Sequence, residues 1–212
     1  MGSAMCLSRW TIRSDRKSTA QEQWHTIGPH RIPTVPPRAT ESYCLPIYAR
    51  PLGHDFDRLG VSVIECGGKG QIDRLYRIFN ELAIPCYVLF DYDKDNPDKE
   101  AVQASRDLLE FLDEKPDEPP TAHVSDRFAC FAGTWESDLK PTIADYDGLA
   151  AKARAELGLR SYAGKPLLAR YIARKLTEGD TPVVPPILRK IIQKAVNVAW
   201  RGSYLHKVQA GG

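Results

Sequence analysis

Along the middle of the chain, apolar positions follow two alternating rhythms. Short runs rich in β-branched and aromatic residues, GVSVIEC, PCYVLF and RFACFAG, predict strands. Between the first two, QIDRLYRIFNELAI sets Ile72, Leu75, Ile78, Phe79 and Leu82 at helical spacing. DKEAVQASRDLLEFLDE does the same with Val102, Leu108, Leu109 and Leu112. Upstream, TESYCLPIYARPLG predicts a helix with Tyr43, Ile47 and Tyr48 on one side, disturbed by Pro46 and stopped by Pro51 and Gly53. KPDEPPTAHVSD is acidic and proline-containing and predicts a loop. Strands alternating with amphipathic helices predict an α/β fold with a parallel sheet covered on both faces. YDGLAAKARAELGL, KPLLARYIARKLTEG and PPILRKIIQKAVNVAWRGSYLHKV are helical throughout, so the sheet gives way to a helical C-terminal subdomain.

The N-terminal stretch has no such rhythm. GPHRIPTVPPRA carries four prolines, which disfavour a helix and a central strand alike. Residues 1–37 are therefore expected to be an irregular extension or linker, with MGSAM read as an added tag remnant. Residues 38–145 form the α/β domain and 146–212 the helical subdomain. A net charge of +2 points to no partner class, so nucleic-acid contact would need a local basic patch. Five scattered cysteines with no C-x-x-C pair fit reduced thiols better than zinc or disulfides. With no membrane-length apolar run and no signal-peptide pattern, a cytoplasmic protein without membrane contact is expected.

Candidate chemistry gathers where strands end. In YVLFDYDKDN the buried-looking strand runs into Asp91, Asp93 and Asp95. In open parallel sheets ligands sit at the carboxyl ends of strands. Two carboxylates one residue apart there repel each other unless a cation is shared, and oxygen-only ligands favour Mg²⁺, Mn²⁺ or Ca²⁺. The plain alternative is a solvated acidic turn leading into a helix. Glu41 opens the first helix, Glu136 follows the last strand in GTWESDL, and Lys165 begins a later helix in AGKPLLARY. Each has an ordinary alternative: a helix N-terminal acid, a cap, an exposed first-turn lysine. ECGGKG lacks the spacing of a nucleotide-binding loop and is expected to be a tight strand-to-helix turn with Lys69 exposed. Lys165, Arg170, Arg174, Lys175, Arg189, Lys190, Lys194 and Arg201 offer positive charge for DNA phosphates, or form a solvated face. The stripe Ile187, Leu188, Ile191, Ile192, Val196 and Trp200 is read as core, with a homodimer surface as the alternative.

Taken in order, TESYCLPIYARPLG, DRLGVSVIECGGKGQIDRLYRIFNELAIPCYVLFDYDKD, TWESDL and GKPLLARYIA resemble the TOPRIM nuclease half of the OLD (overcoming lysogenization defect) family. The resemblance runs from about Thr40 to Leu176. It implies a TOPRIM-like α/β fold and divalent-metal-dependent DNA endonuclease activity by a two-metal site using Mg²⁺ or Mn²⁺. It assigns Asp91, Asp93, Glu136 and Glu41 to the metals, with Glu41 and Lys165 as catalytic residues. Lys165 would stabilise charge on the scissile phosphate. The family typically carries an ABC-type ATPase domain as well; no Walker motif occurs in these residues, so no ATP site is expected in this chain. The sequence departs from the family's E-G-x-T-E signature, with Pro37 at its first Glu and Arg38 at its Gly. That departure keeps a second reading open: a catalytically impaired TOPRIM-like module for DNA binding or dimerisation. A phosphate-accepting signalling domain is a third, less well matched to a D-x-D pair joined by Glu136.

Overall fold

The structure, a computed structural model, describes residues 4–9, 40–112, 122–159 and 164–209. Five strands form one sheet: β1 (Ala4–Arg9), β2 (Val61–Glu65), β3 (Cys86–Asp91), β4 (His123–Val124) and β5 (Phe128–Phe131), in the order β2-β1-β3-β5-β4. The helices are α1 (Thr40–Ala49), α2 (Phe56–Leu59), α3 (Ile72–Glu81), α4 (Lys99–Phe111), α5 (Trp135–Leu139), α6 (Tyr146–Leu157), α7 (Lys165–Thr177) and α8 (Pro186–Gln209).

Local chemistry sets many of the helix ends. Asp55 and Asp98 cap α2 and α4 by accepting backbone N–H bonds, and Thr134 and Ser137 form a reciprocal capping box on α5. Gly60 and Gly158 close α2 and α6 in the left-handed conformation.

The sheet divides the core by the period-2 rule of strands. On one face, Tyr87 and Leu89 of β3 join Ala129 and Phe131 of β5. They pack with Cys44, Leu45 and Tyr48 of α1, Ile172 of α7 and Leu188 and Ile192 of α8. On the other, Val88 and Phe90 join Phe128 and Cys130, covered by Ile72 and Phe79 of α3 and Leu108 and Leu109 of α4. The C-terminal helices thus share one core with the sheet, and α7 lies along α1.

Three expectations change. The sheet is mixed: β3 and β5 are parallel, whereas β1 runs antiparallel to both β2 and β3, and β4 antiparallel to β5. The reason is β1 itself, which inserts between β2 and β3 with Met5 opposite both Glu65 and Leu89. Residues 4–9 are therefore not part of an irregular extension; AMCLSR is proline-free, so its backbone can pair on both edges. Residues 10–39, Trp10 and Trp24 among them, lie outside the described residues. His123–Val124, expected in a loop, form the short edge strand β4.

On α3, Ile78 is 44% and Leu82 60% exposed, although both fit a helical stripe. At about 100° per residue the buried arc of α3 centres on Ile72, Tyr76, Phe79 and Leu75, and Ile78 falls outside it. Leu82 lies past the last helical turn. The α8 stripe is core as read, with Leu188, Ile191, Ile192 and Val196 buried and Ile187 packed at the margin; the Trp200 side chain is outside the described residues.

Candidate metal centre

The carboxyl end of β3 is held from three directions. Tyr92 N–H donates to Phe131 O (2.8 Å), Asp93 N–H to Gly133 O (3.1 Å) and Lys94 N–H to Ala132 O (3.2 Å), so the D-x-D turn is laced to the loop after β5. Asp93 adopts φ 60°, a left-handed conformation that aspartate tolerates better than most residues. Asp91 and Asp93 are both buried, whereas Asp95 is exposed and stands apart from the site.

Asp91 Oδ1 accepts a hydrogen bond from Trp135 N–H at 3.0 Å, which ties β3 to the start of α5. Trp135 is itself fixed by its edge-on contact with Phe131, ring centroids 5.5 Å apart. Glu136, the next residue, sits in the first turn of α5; it is not the cap, because Thr134 takes that position. Glu41, the second residue of α1, is 1% exposed, which a solvated helix-end acid would not be.

Electrostatics bring these acids together. Burial, and then the negative charges of Glu41, Asp93 and Glu136, hold the Asp91 carboxyl well above the usual carboxylate range, against the opposing Trp135 N–H. The nearby Cys44 thiol is also pushed up, by burial and then by Glu41 and Glu136, while Arg170 of α7 works the other way. Glu41, Asp93 and Glu136 are thus near enough to act on the charge of Asp91.

Asp93 is the exception in how its charge is met. Lys69 Nζ lies 2.8 Å from Asp93 Oδ2, and both side chains are buried. The same ammonium donates to Ser105 Oγ at 2.8 Å and to Ala101 O at 3.2 Å, and Ser105 Oγ–H in turn reaches Tyr92 O at 2.9 Å. This corrects the expectation of an exposed Lys69. Gly67 at φ 73° and Gly68 at φ 132° turn the chain so that the lysine enters the interior. Lys165, by contrast, is exposed at the first position of α7.

Residues 39–93 match the family model of the overcoming lysogenization defect protein-like TOPRIM domain. This stretch is similar to that domain. It includes Glu41, Lys69, Asp91 and Asp93, and it begins just after Pro37 and Arg38, where the sequence leaves the family signature. The fold, a mixed sheet with a parallel pair flanked by helices, agrees with a TOPRIM-like α/β domain that has a helical C-terminal part. No curated protein and no solved structure matches the chain.

TOPRIM domains generally bind divalent cations, and the chemistry of the donors here suits one. All are oxygens, and burial followed by the neighbouring negative charges holds the Asp91 carboxyl above its usual range. Among the described residues, no group of three or more His, Cys, Asp or Glu side chains is placed to hold a metal ion. Mg²⁺ does not require one; it commonly binds through one or two carboxylates and keeps several waters. No described helix is long and apolar enough to cross a membrane.

Proposed function

We propose that this chain is a divalent-metal-dependent DNA endonuclease domain, the nuclease part of an OLD-type enzyme. The observation that carries the reading is the buried Asp91 at the end of β3, its charge opposed by Glu41, Asp93 and Glu136 inside an OLD-like TOPRIM segment. Such a cluster is costly until a cation offsets it.

Asp91, Glu41 and Glu136 would hold Mg²⁺ or Mn²⁺. The ion, when bound, supplies a more acidic water and a positive charge beside the phosphate. The protein's part is positional. Trp135 N–H fixes Oδ1 of Asp91, which ties the carboxylate to the start of α5. The carboxylates sit on the end of a buried strand and on the first turns of two helices, elements rigid enough to keep a preorganised site. Lys165, on the exposed start of α7, is the candidate to approach a non-bridging phosphate oxygen once DNA is bound. A groove lined by Val124, Arg189, Lys190, Gln193 and Lys194 offers positive charge for the duplex backbone.

The test is nicking of supercoiled plasmid in Mg²⁺ or Mn²⁺. Asp91→Asn is expected to abolish it, and Lys165→Ala to slow it by about 10²–10³-fold, the usual cost of losing one transition-state charge contact. Folded wild-type protein that nicks with neither ion overturns the proposal. A second reading, an impaired TOPRIM-like module for DNA binding or dimerisation, is favoured by one observation: Pro37 and Arg38 replace the first acid of the signature and its glycine. It expects DNA retention or self-association that survives Asp91→Asn, without cleavage.

A further inference from the structure

We propose that Lys69 is a built-in counter-cation that takes the place of a second divalent ion at Asp93, leaving a single divalent position centred on Asp91. The inference rests on the metal-dependent reading above and sharpens it: the two carboxylates of the D-x-D turn have different jobs.

The geometry of Lys69 is complete. An ammonium has three N–H donors, and Asp93 Oδ2, Ser105 Oγ and Ala101 O take all three. The pair is buried on both sides, with side-chain exposures of 5% and 7%. A charge pair held at 2.8 Å away from solvent, with its remaining donors satisfied, is a fixed structural element. Asp93 is fixed as well, by its left-handed backbone and by Asn96 N–H donating to its carbonyl at 2.9 Å. A dication on the same carboxylate would have to sit beside the lysine's full positive charge, at a site where neither is screened by water.

Asp91 has the opposite surroundings. Among the described residues its one hydrogen-bond donor is the neutral Trp135 N–H, and the charges acting on it are the carboxylates of Glu41, Asp93 and Glu136. One acid of the turn thus has its cation within the fold, and the other has none. Lys69 acts as a positioning residue: through Asp93, and through Ser105 to Tyr92 O, it fixes the turn on which Asp91 is presented.

Mn²⁺ titration of the full chain, by calorimetry and by electron paramagnetic resonance of the free ion, tests this without reference to activity. Wild type is expected to bind one Mn²⁺ per chain. Asp91→Asn is expected to weaken it by about 10–100-fold, the loss of a charge-assisted ligand contact. Asp93→Asn is expected to weaken it less than Asp91→Asn does, since Asp93 bonds to Lys69 and would not touch the ion. In EDTA, Asp93→Asn and Lys69→Met each lower the melting temperature, and the double variant Lys69→Met/Asp93→Asn recovers part of the loss because no buried charge is left alone. Two Mn²⁺ per chain, or an Asp93→Asn loss as large as that of Asp91→Asn, overturns this proposal and leaves the nuclease reading standing. No Mn²⁺ bound to folded wild type overturns both.

Discussion

At the scale of single residues, the fold spends its least comfortable position on Asp91. A folded-state carboxyl held above its unfolded value near about 3.9 binds the extra proton in the native state. The stability this gives is complete at pH below the unfolded value. It is lost as pH rises through the raised folded value. Without metal, melting temperature should therefore fall as pH climbs from about 4 toward neutrality, and Asp91→Asn should flatten that slope. Glu41, Asp93 and Glu136 are the facing acids, and Lys69 is the facing base through Asp93. Mn²⁺ should reverse the trend, since the ion binds the ionised form. Parallel thermal melts in EDTA and in Mn²⁺ decide the matter. Lys69→Met removes the partner of a buried carboxylate and should cost about 3–5 kcal/mol in urea denaturation.

At the scale of elements, the glycine pair between β2 and α3 decides where Lys69 goes. Gly68 has φ 132° and ψ 164°, a region open to little but glycine, and nothing lies within 4 Å of where a Cβ would stand. Gly68→Ala should therefore destabilise through backbone strain alone, by about 1–3 kcal/mol. Solvent exchange of the α4 amides near Ser105 should rise with it, because Lys69 loses its angle of entry. The sequence made the Gly-Gly-Lys run visible but offered two readings of the lysine, since local conformation says nothing of what waits across the sheet. The strands β2, β3 and β5 and the helices α3, α4, α6, α7 and α8 were legible in their apolar spacing, because burial on a defined face imposes a period. The four-residue α2 and two-residue β4 carry too few positions to show one.

At the scale of the whole molecule, β1 completes the sheet from the far end of the chain. Its partners β2 and β3 begin more than fifty residues later, so its place is a long-range decision. Deleting residues 1–9 would leave the facing edges of β2 and β3 unpaired in the middle of the sheet. Loss of cooperative unfolding is the expected result, read by circular dichroism melts and by exchange of the β2 and β3 amides. The cationic groove along α8 gives a second test at this scale. Replacing Arg189 and Lys190 by Glu should weaken DNA retention without altering Mn²⁺ binding. It should also reduce the slope of log affinity against log salt by about two.

The sequence by itself determined the alternation of strands and helices, the acids at strand ends and the resemblance that joins Glu41 through Asp93, because each is written in nearest neighbours or in a short period. Only the tertiary structure decided that β1 runs antiparallel through the sheet, that Lys69 is buried on Asp93, and that Asp91 keeps the uncompensated charge. Those outcomes depend on which residues distant in the chain meet within a few ångströms, and the energy of a buried charge is set by such meetings rather than by spacing.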